Sequence, residues 1–205
     1  MRPSLSLLAV LVALSLLGCA HRAGGSGAVA NPGRIAAPLL AEHAARSRLL
    51  HIYVDADNVA AAPVSADLTH ASTVAVSLRD QMRQRGYDVR GTESALPKGE
   101  AGATPGALAR AVAAGQPPPA SSRSITYLHP NAPQLLLFVH LQESPAAATQ
   151  ADSKPSVILG AFIADSADGT ILWSNRVTAR PPATDSQLRL LAVQLLKTLP
   201  TLPPA

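Results

Sequence analysis

The chain has 205 residues and a formal net charge of +4, room for one domain with an ordinary core. Its basic residues are scattered, with only Arg79, Arg83 and Arg85 close together, and aromatics make up 3%, which argues against the basic stripe with aromatic platforms that nucleic-acid binders use. The single cysteine, Cys19, excludes a disulfide within the chain.

In chain order, Arg2 is the only charge before an apolar run from Leu5 to Leu17, long enough for the core of an export signal and too short to span a bilayer stably. The run ends in Leu16-Leu17-Gly18-Cys19. This tetrapeptide resembles the lipobox of bacterial lipoproteins, in which the cysteine thiol receives a diacylglycerol, the signal is cut off before the cysteine and the new amine is acylated. The resemblance implies a signal peptide at 1–18 and palmitate-type chains on Cys19, and several acyl chains anchor a protein stably where one does not. An ordinary signal peptide would leave the odd thiol unexplained. Ala20 follows the cysteine where retained inner-membrane lipoproteins tend to carry Asp, so the resemblance implies the outer membrane with the domain facing the periplasm.

From Ala20 to about Arg34 the chain is nearly free of large apolar groups, and residues 19–47 are read as the lipidated cysteine and a flexible tether. A flexible chain of about 28 residues spans about 30 Å. Leu49 to Val54 reads as a buried strand ended by Asp55-Ala56-Asp57-Asn58. Ser65 or Asp67 caps a helix whose Leu68, Ala71, Ala75, Leu78 and Met82 share a face while Arg79, Arg83 and Gln84 point away, and Gly86 ends it. Tyr87 to Arg90 is a short second strand, and Thr104-Pro105 opens a second helix through Leu108 and Val112 that stops at Gly115. The Pro- and Ser-rich stretch from Gln116 to Pro133 is a loop.

The apolar runs Leu135–Leu141 and Val157–Ala164 have the pattern of strands covered on both faces and belong at the sheet's centre. Asp165-Ser166-Ala167-Asp168-Gly169 is a hairpin turn into a strand over Thr170–Val177, antiparallel to the one before it. Thr184 or Asp185 caps a last helix carrying Leu188, Leu191, Leu195 and Leu199, and 200–205 is a Pro-rich tail. The order β-α-β-α-β-β-β-α predicts one α/β domain over 48–199, a three-layer fold with a mixed sheet and helices on both faces.

Met82-Arg83-Gln84-Arg85-Gly86-Tyr87-Asp88-Val89, Ala132-Pro133-Gln134-Leu135-Leu136-Leu137 and above all Asp165-Ser166-Ala167-Asp168-Gly169-Thr170-Ile171-Leu172-Trp173-Ser174 resemble envelope lipoproteins with a TolB-N-terminal-like domain. That group holds the curli secretion channel lipoprotein, outer-membrane activators of penicillin-binding proteins and a neisserial surface-lipoprotein family. The resemblance covers roughly residues 48–199 and brings no catalytic residues with it.

No motif for a nucleophile with its base, a phosphate loop or a zinc helix occurs, so the chain is read as no enzyme, without cofactor or metal. His140 inside a strand has no second ligand at strand or helix spacing and reads as a core histidine. Asp55, Asp57 and Asn58 lack the further ligands and the glycine of a calcium loop and read as a strand end. Trp173 reads as a packed aromatic. Arg79, Arg83 and Arg85 are the partner-binding candidates, a solvated helix face able to meet an acidic partner. The leading functional expectation is a non-catalytic lipid-anchored protein that binds or assembles with an envelope component in transport, secretion or cell-wall synthesis, with homo-oligomerisation left open. The runner-up is a binder, possibly hydrolytic, of a small ligand or cell-wall fragment, in the crevice at the strand ends and the 116–133 loop.

Overall fold

The computed structural model describes residues 37–57, 64–93, 104–126, 128, 134–144, 156–180 and 184–202. The elements are α1 (Ala37–Arg46), β1 (Leu49–Asp57), α2 (Val64–Gln84), β2 (Asp88–Glu93), α3 (Pro105–Ala113), α4 (Arg123–Thr126), β3 (Leu135–Ser144), β4 (Ser156–Asp165), β5 (Ile171–Ala179) and α5 (Asp185–Leu195), the last running into a 3-10 turn at Leu196–Thr198. The strands form one sheet in the order β2-β1-β3-β4-β5. β1 is parallel to β2 and to β3, whereas β4 is antiparallel to β3 and to β5. The sheet is therefore mixed, and the two apolar runs expected at its centre are β3, the middle strand, and its neighbour β4.

Alternation along each strand sorts the apolar side chains into two cores. Leu50, Ile52, Val54, Leu135, Leu137, Val139, Leu159, Ala161 and Ile163 face a layer of α1, α2 and α5, where they meet Leu40, Ala44, Leu78, Met82, Leu188, Leu191 and Leu195. Tyr53, Leu136, Phe138, Phe162 and Ala164 face the other way, against Leu108, Ala109 and Val112 of α3 and Ile125 of α4. The helices start and stop as their residues dictate. Thr104 and Thr184 hold extended backbone and accept, through their hydroxyls, the N–H groups of Ala107 and Gln187, which caps α3 and α5. Gly86 and Gly115, each at φ +88°, turn the chain out of α2 and α3.

Five local expectations are corrected. The stretch read as tether up to residue 47 holds α1, because Leu40 and Ala44, four apart, are buried in the core. β1 does not end at Asp55 but runs to Asp57, since β3 pairs with it as far as Gln142. The 116–133 loop contains α4 and is tied to the start of β5: Ile171 N donates to Ala120 O (2.8 Å), Ser122 N donates to Gly169 O (2.8 Å), and Ser121 bridges Thr170, which precedes the strand. Leu199 is buried but lies beyond α5 and its 3-10 turn. The tail is fastened at Leu202, which is buried and donates its N–H to Arg85 O (2.9 Å).

Candidate functional site

The chain crosses from β1 through α2 to β2 on one side and from β2 through α3 to β3 on the other, so the carboxyl ends of β1 and β3 form a topological switch point, where open α/β sheets take ligands. Asp55 of β1 and His140 of β3 are register partners there. His140 Nδ1 lies 3.6 Å from Asp55 Oδ2, and Arg110 from the last turn of α3 reaches the same oxygen at 3.7 Å. His140 is wholly buried, because its neighbour in β4 is Gly160, whose missing side chain lets the α3 backbone at Ala113 close over the sheet. Arg176 of β5 secures that closure by donating from Nε to Ala113 O (2.6 Å). The contact with His140, and more weakly Arg110, hold the Asp55 carboxyl below its usual range against the opposing effect of burial. The group presents one carboxylate and one guanidinium to solvent and keeps the imidazole inside, a geometry that ties α3 to two strands and offers ionic contacts.

Next to it runs a row of rings. His51 stacks on Tyr53 at 4.7 Å, Tyr53 on Phe138 at 5.2 Å and Phe138 on Phe162 at 4.9 Å, crossing β1, β3 and β4. His51 also meets Glu93 of β2 at 3.0 Å and lies over Gly91, where a Cβ would strike its ring. Burial, and then the charge of Glu93, push the Tyr53 phenol up to about 12, so it stays neutral.

At the opposite end of the parallel strands a cavity of about 270 Å³ is lined by His43, Arg46, Ser47, Gln134, Leu135, Asp165 and Ala167. His43 Nδ1 bonds the Asp165 carboxylate and so joins α1 to the end of β4. The other Asp165 oxygen accepts the Ala167 N–H (2.8 Å), and Asp168 accepts that of Thr170 (2.8 Å), which with Gly169 at φ +73° builds the expected hairpin turn. Among the described residues no group of three or more His, Cys, Asp or Glu side chains is arranged to hold a metal ion, and no helix is long and apolar enough to cross a membrane.

Of the residues singled out from the sequence, Cys19 lies outside the described residues. The three arginines do not form one face. Arg79 sits at the α2 surface, 3.1 Å from Asp80, and Arg83 is exposed beside Val89 O at 3.4 Å. Arg85 stands beyond the helix end, half-buried, donating to Leu199 O at 2.8 Å, so it pins the C-terminal segment. Trp173 is a packed aromatic whose indole N–H donates to Thr198 Oγ1 (3.2 Å). Arg110 and His43 carried no sequence signal, since their partners are 55 and 122 residues away.

No protein-family profile matches the chain, and neither does any curated protein. Among solved structures it is similar to the PelC dodecamer of Paraburkholderia phytofirmans, at 16% identity and a TM-score of 0.44 over 86% of this chain and 98% of that one; a variant dodecamer of the same protein gives the same identity and TM-score over 86% and 100%. It is also similar to lipoprotein GNA1162 of Neisseria meningitidis, at 16% identity and a TM-score of 0.39 over 74% of this chain and 96% of that one.

Proposed function

We propose that the chain is a non-catalytic, lipid-anchored envelope protein, held to the outer membrane through acyl groups on Cys19, with a TolB-N-terminal-like domain that faces the periplasm and binds or assembles with another envelope component in transport, secretion or cell-wall synthesis. The observation that carries this reading is the docking of α1. Leu40 and Ala44 bury that helix in the core, so the core already holds the chain at α1, whose first residue, Ala37, is eighteen residues on from Cys19. Whatever path joins the two, it spans at most about 60 Å, against about 100 Å if the body began at β1. A domain held that close meets partners at or near its own membrane, and the anchor raises their effective concentration. Assembly with further copies of the chain is one form such contact takes.

Metabolic labelling with a fatty-acid analogue tests the anchor: the native chain takes up label and Cys19→Ser does not, and label persisting on the variant refutes it. Crosslinkers placed in vivo at Arg83 and Gln116 test the contact. Specific adducts with an envelope protein or a second copy are expected; a turned-over substrate without adducts would refute the reading. One observation favours a second reading, the binding of a small ligand or cell-wall fragment: the cavity beside the His43–Asp165 pair. A ligand at a hundred times its Kd would stabilise the domain by about 2.7 kcal/mol, which a thermal-shift series detects.

A further inference from the structure

The large apolar side chains that remain exposed among the described residues are Val76, Leu190 and Val193, at 44%, 62% and 40%. All three lie on the outer surface of one layer. α2 and α5 run side by side in the same direction, joined at one end by Thr73 Oγ1 to Asp185 Oδ1 (3.1 Å) and at the other by Arg85 to Leu199 O (2.8 Å). Val76 is on the solvent side of α2, and Leu190 and Val193 on that of α5, since Leu188, Leu191 and Leu195 take the inner side. The same two helices and the turn after α5 carry Arg79, Arg83, Arg189 and Lys197 at their surface, against the carboxylates of Asp80 and Asp185. Asp80 is paired with Arg79, and Asp185 sits in the first turn of α5, where it bonds Thr73. The outer surface of the two helices thus carries exposed apolar side chains together with cations in excess, a combination that suits the headgroup region of an anionic bilayer.

We propose that the outer face of α2 and α5 seats on an anionic lipid surface. Two observations choose lipid over a soluble acidic partner: the exposed apolar side chains that accompany those cations, which a headgroup region takes up, and the reach of at most about 60 Å from Cys19 to Ala37, which holds this face near the membrane. The orientation rests on the reading of Cys19 as the anchor. With the layer of α1, α2 and α5 against the membrane, the α3 side, with Asp55 and Arg110 at the switch point, is turned toward the periplasm.

The test is flotation of the mature chain carrying Cys19→Ser, hence without acyl groups, on vesicles of neutral lipid alone or with about a third anionic lipid. Binding to the anionic vesicles is expected, weakened about fivefold by Arg189→Gln or by Lys197→Gln and about 25-fold by both, from about 1 kcal/mol per cation near a charged surface. Leu190→Ser should weaken it further, and unchanged melting temperatures would show that the variants fold. Failure to bind anionic vesicles, equal binding to neutral ones, or indifference to the substitutions overturns the proposal, as does a dimer lost in Leu190→Ser, which would assign the face to a second copy. A chain that takes up label at Cys19 but ignores vesicles refutes the lipid-binding face alone, and one that binds vesicles but takes no label refutes the anchor alone.

Discussion

On one face of the sheet α1, α2 and α5 bury a layer made almost wholly of aliphatic side chains, whereas on the other α3 and α4 close over stacked rings, a histidine and an arginine. The first cover is held by area. The second is held by a short helix whose fit depends on one glycine, Gly160, and on polar ties from Asp55 and Arg176. Apolar burial tolerates a lost contact in proportion to its area, while a close backbone approach fails when any atom is added. The first face therefore carries most of the stability, and the second is the part whose position a small change moves.

The sharpest test of that contrast is Leu195→Ala. Leu195 is fully buried between α5 and the sheet, so its truncation should cost about 2 to 5 kcal/mol, while Leu190→Ala, on the outside of the same helix, should stay within about 0.5 kcal/mol. Urea melts at neutral pH read both, and similar small losses would mean that α5 is not docked. Next in size comes Gly160→Ala. The added Cβ runs into the backbone of Ala113, which cannot swing aside as a side chain does, and overpacking of this kind costs about 1 to 3 kcal/mol. Hydrogen exchange should then rise in α3 while α5 keeps its protection; a uniform rise would show that the two faces are one cooperative unit.

Much of this division is written in the chain. The short apolar runs of β1, β3 and β4 and the Leu188, Leu191, Leu195 spacing marked the sheet and its last helix, because each rests on neighbours close in sequence. The helix caps at Thr104 and Thr184 were legible for the same reason. What escaped depends on partners far away. α1 is ten residues rich in alanine, and only Leu40 and Ala44 meeting the core separate it from a linker. Asp55 looks like turn chemistry until β3 pairs alongside and sets His140 opposite it. Arg85 reads as one of three like charges until the C-terminal segment returns to accept its hydrogen bond. The Gly160 contact was equally invisible, since nothing local distinguishes a strand glycine that a helix crosses.

The two caps offer a matched pair. Thr104 and Thr184 make the same bond, at 3.2 and 3.3 Å, on opposite faces of the sheet. Thr→Ala at either should cost about 1 kcal/mol. If α3 is the more weakly held, Thr104→Ala should also raise exchange throughout α3, whereas Thr184→Ala should affect only the first turn of α5. Equal spreading in both would break the comparison.

The smallest expected effect lies in the ion pair that joins α3 to the strands. Asp55 titrates below its ordinary 3.8 in the folded chain, chiefly because of its contact with His140. A carboxyl depressed in this way contributes stability that is present above the unfolded pKa and is lost as pH falls through the folded one. Asp55→Asn removes that contribution, so the variant should lose less than about 1 kcal/mol at neutral pH, the range of partly exposed ion pairs. Its stability should fall less steeply than the native chain's below the ordinary carboxyl pKa of 3.8. Urea melts repeated from neutral pH down to about 2.5 read the two slopes. Parallel curves would mean that Asp55 is no better stabilised in the folded chain than in the unfolded one, and that α3 is held by the Gly160 approach, the Arg176 bond and the stacked rings without it.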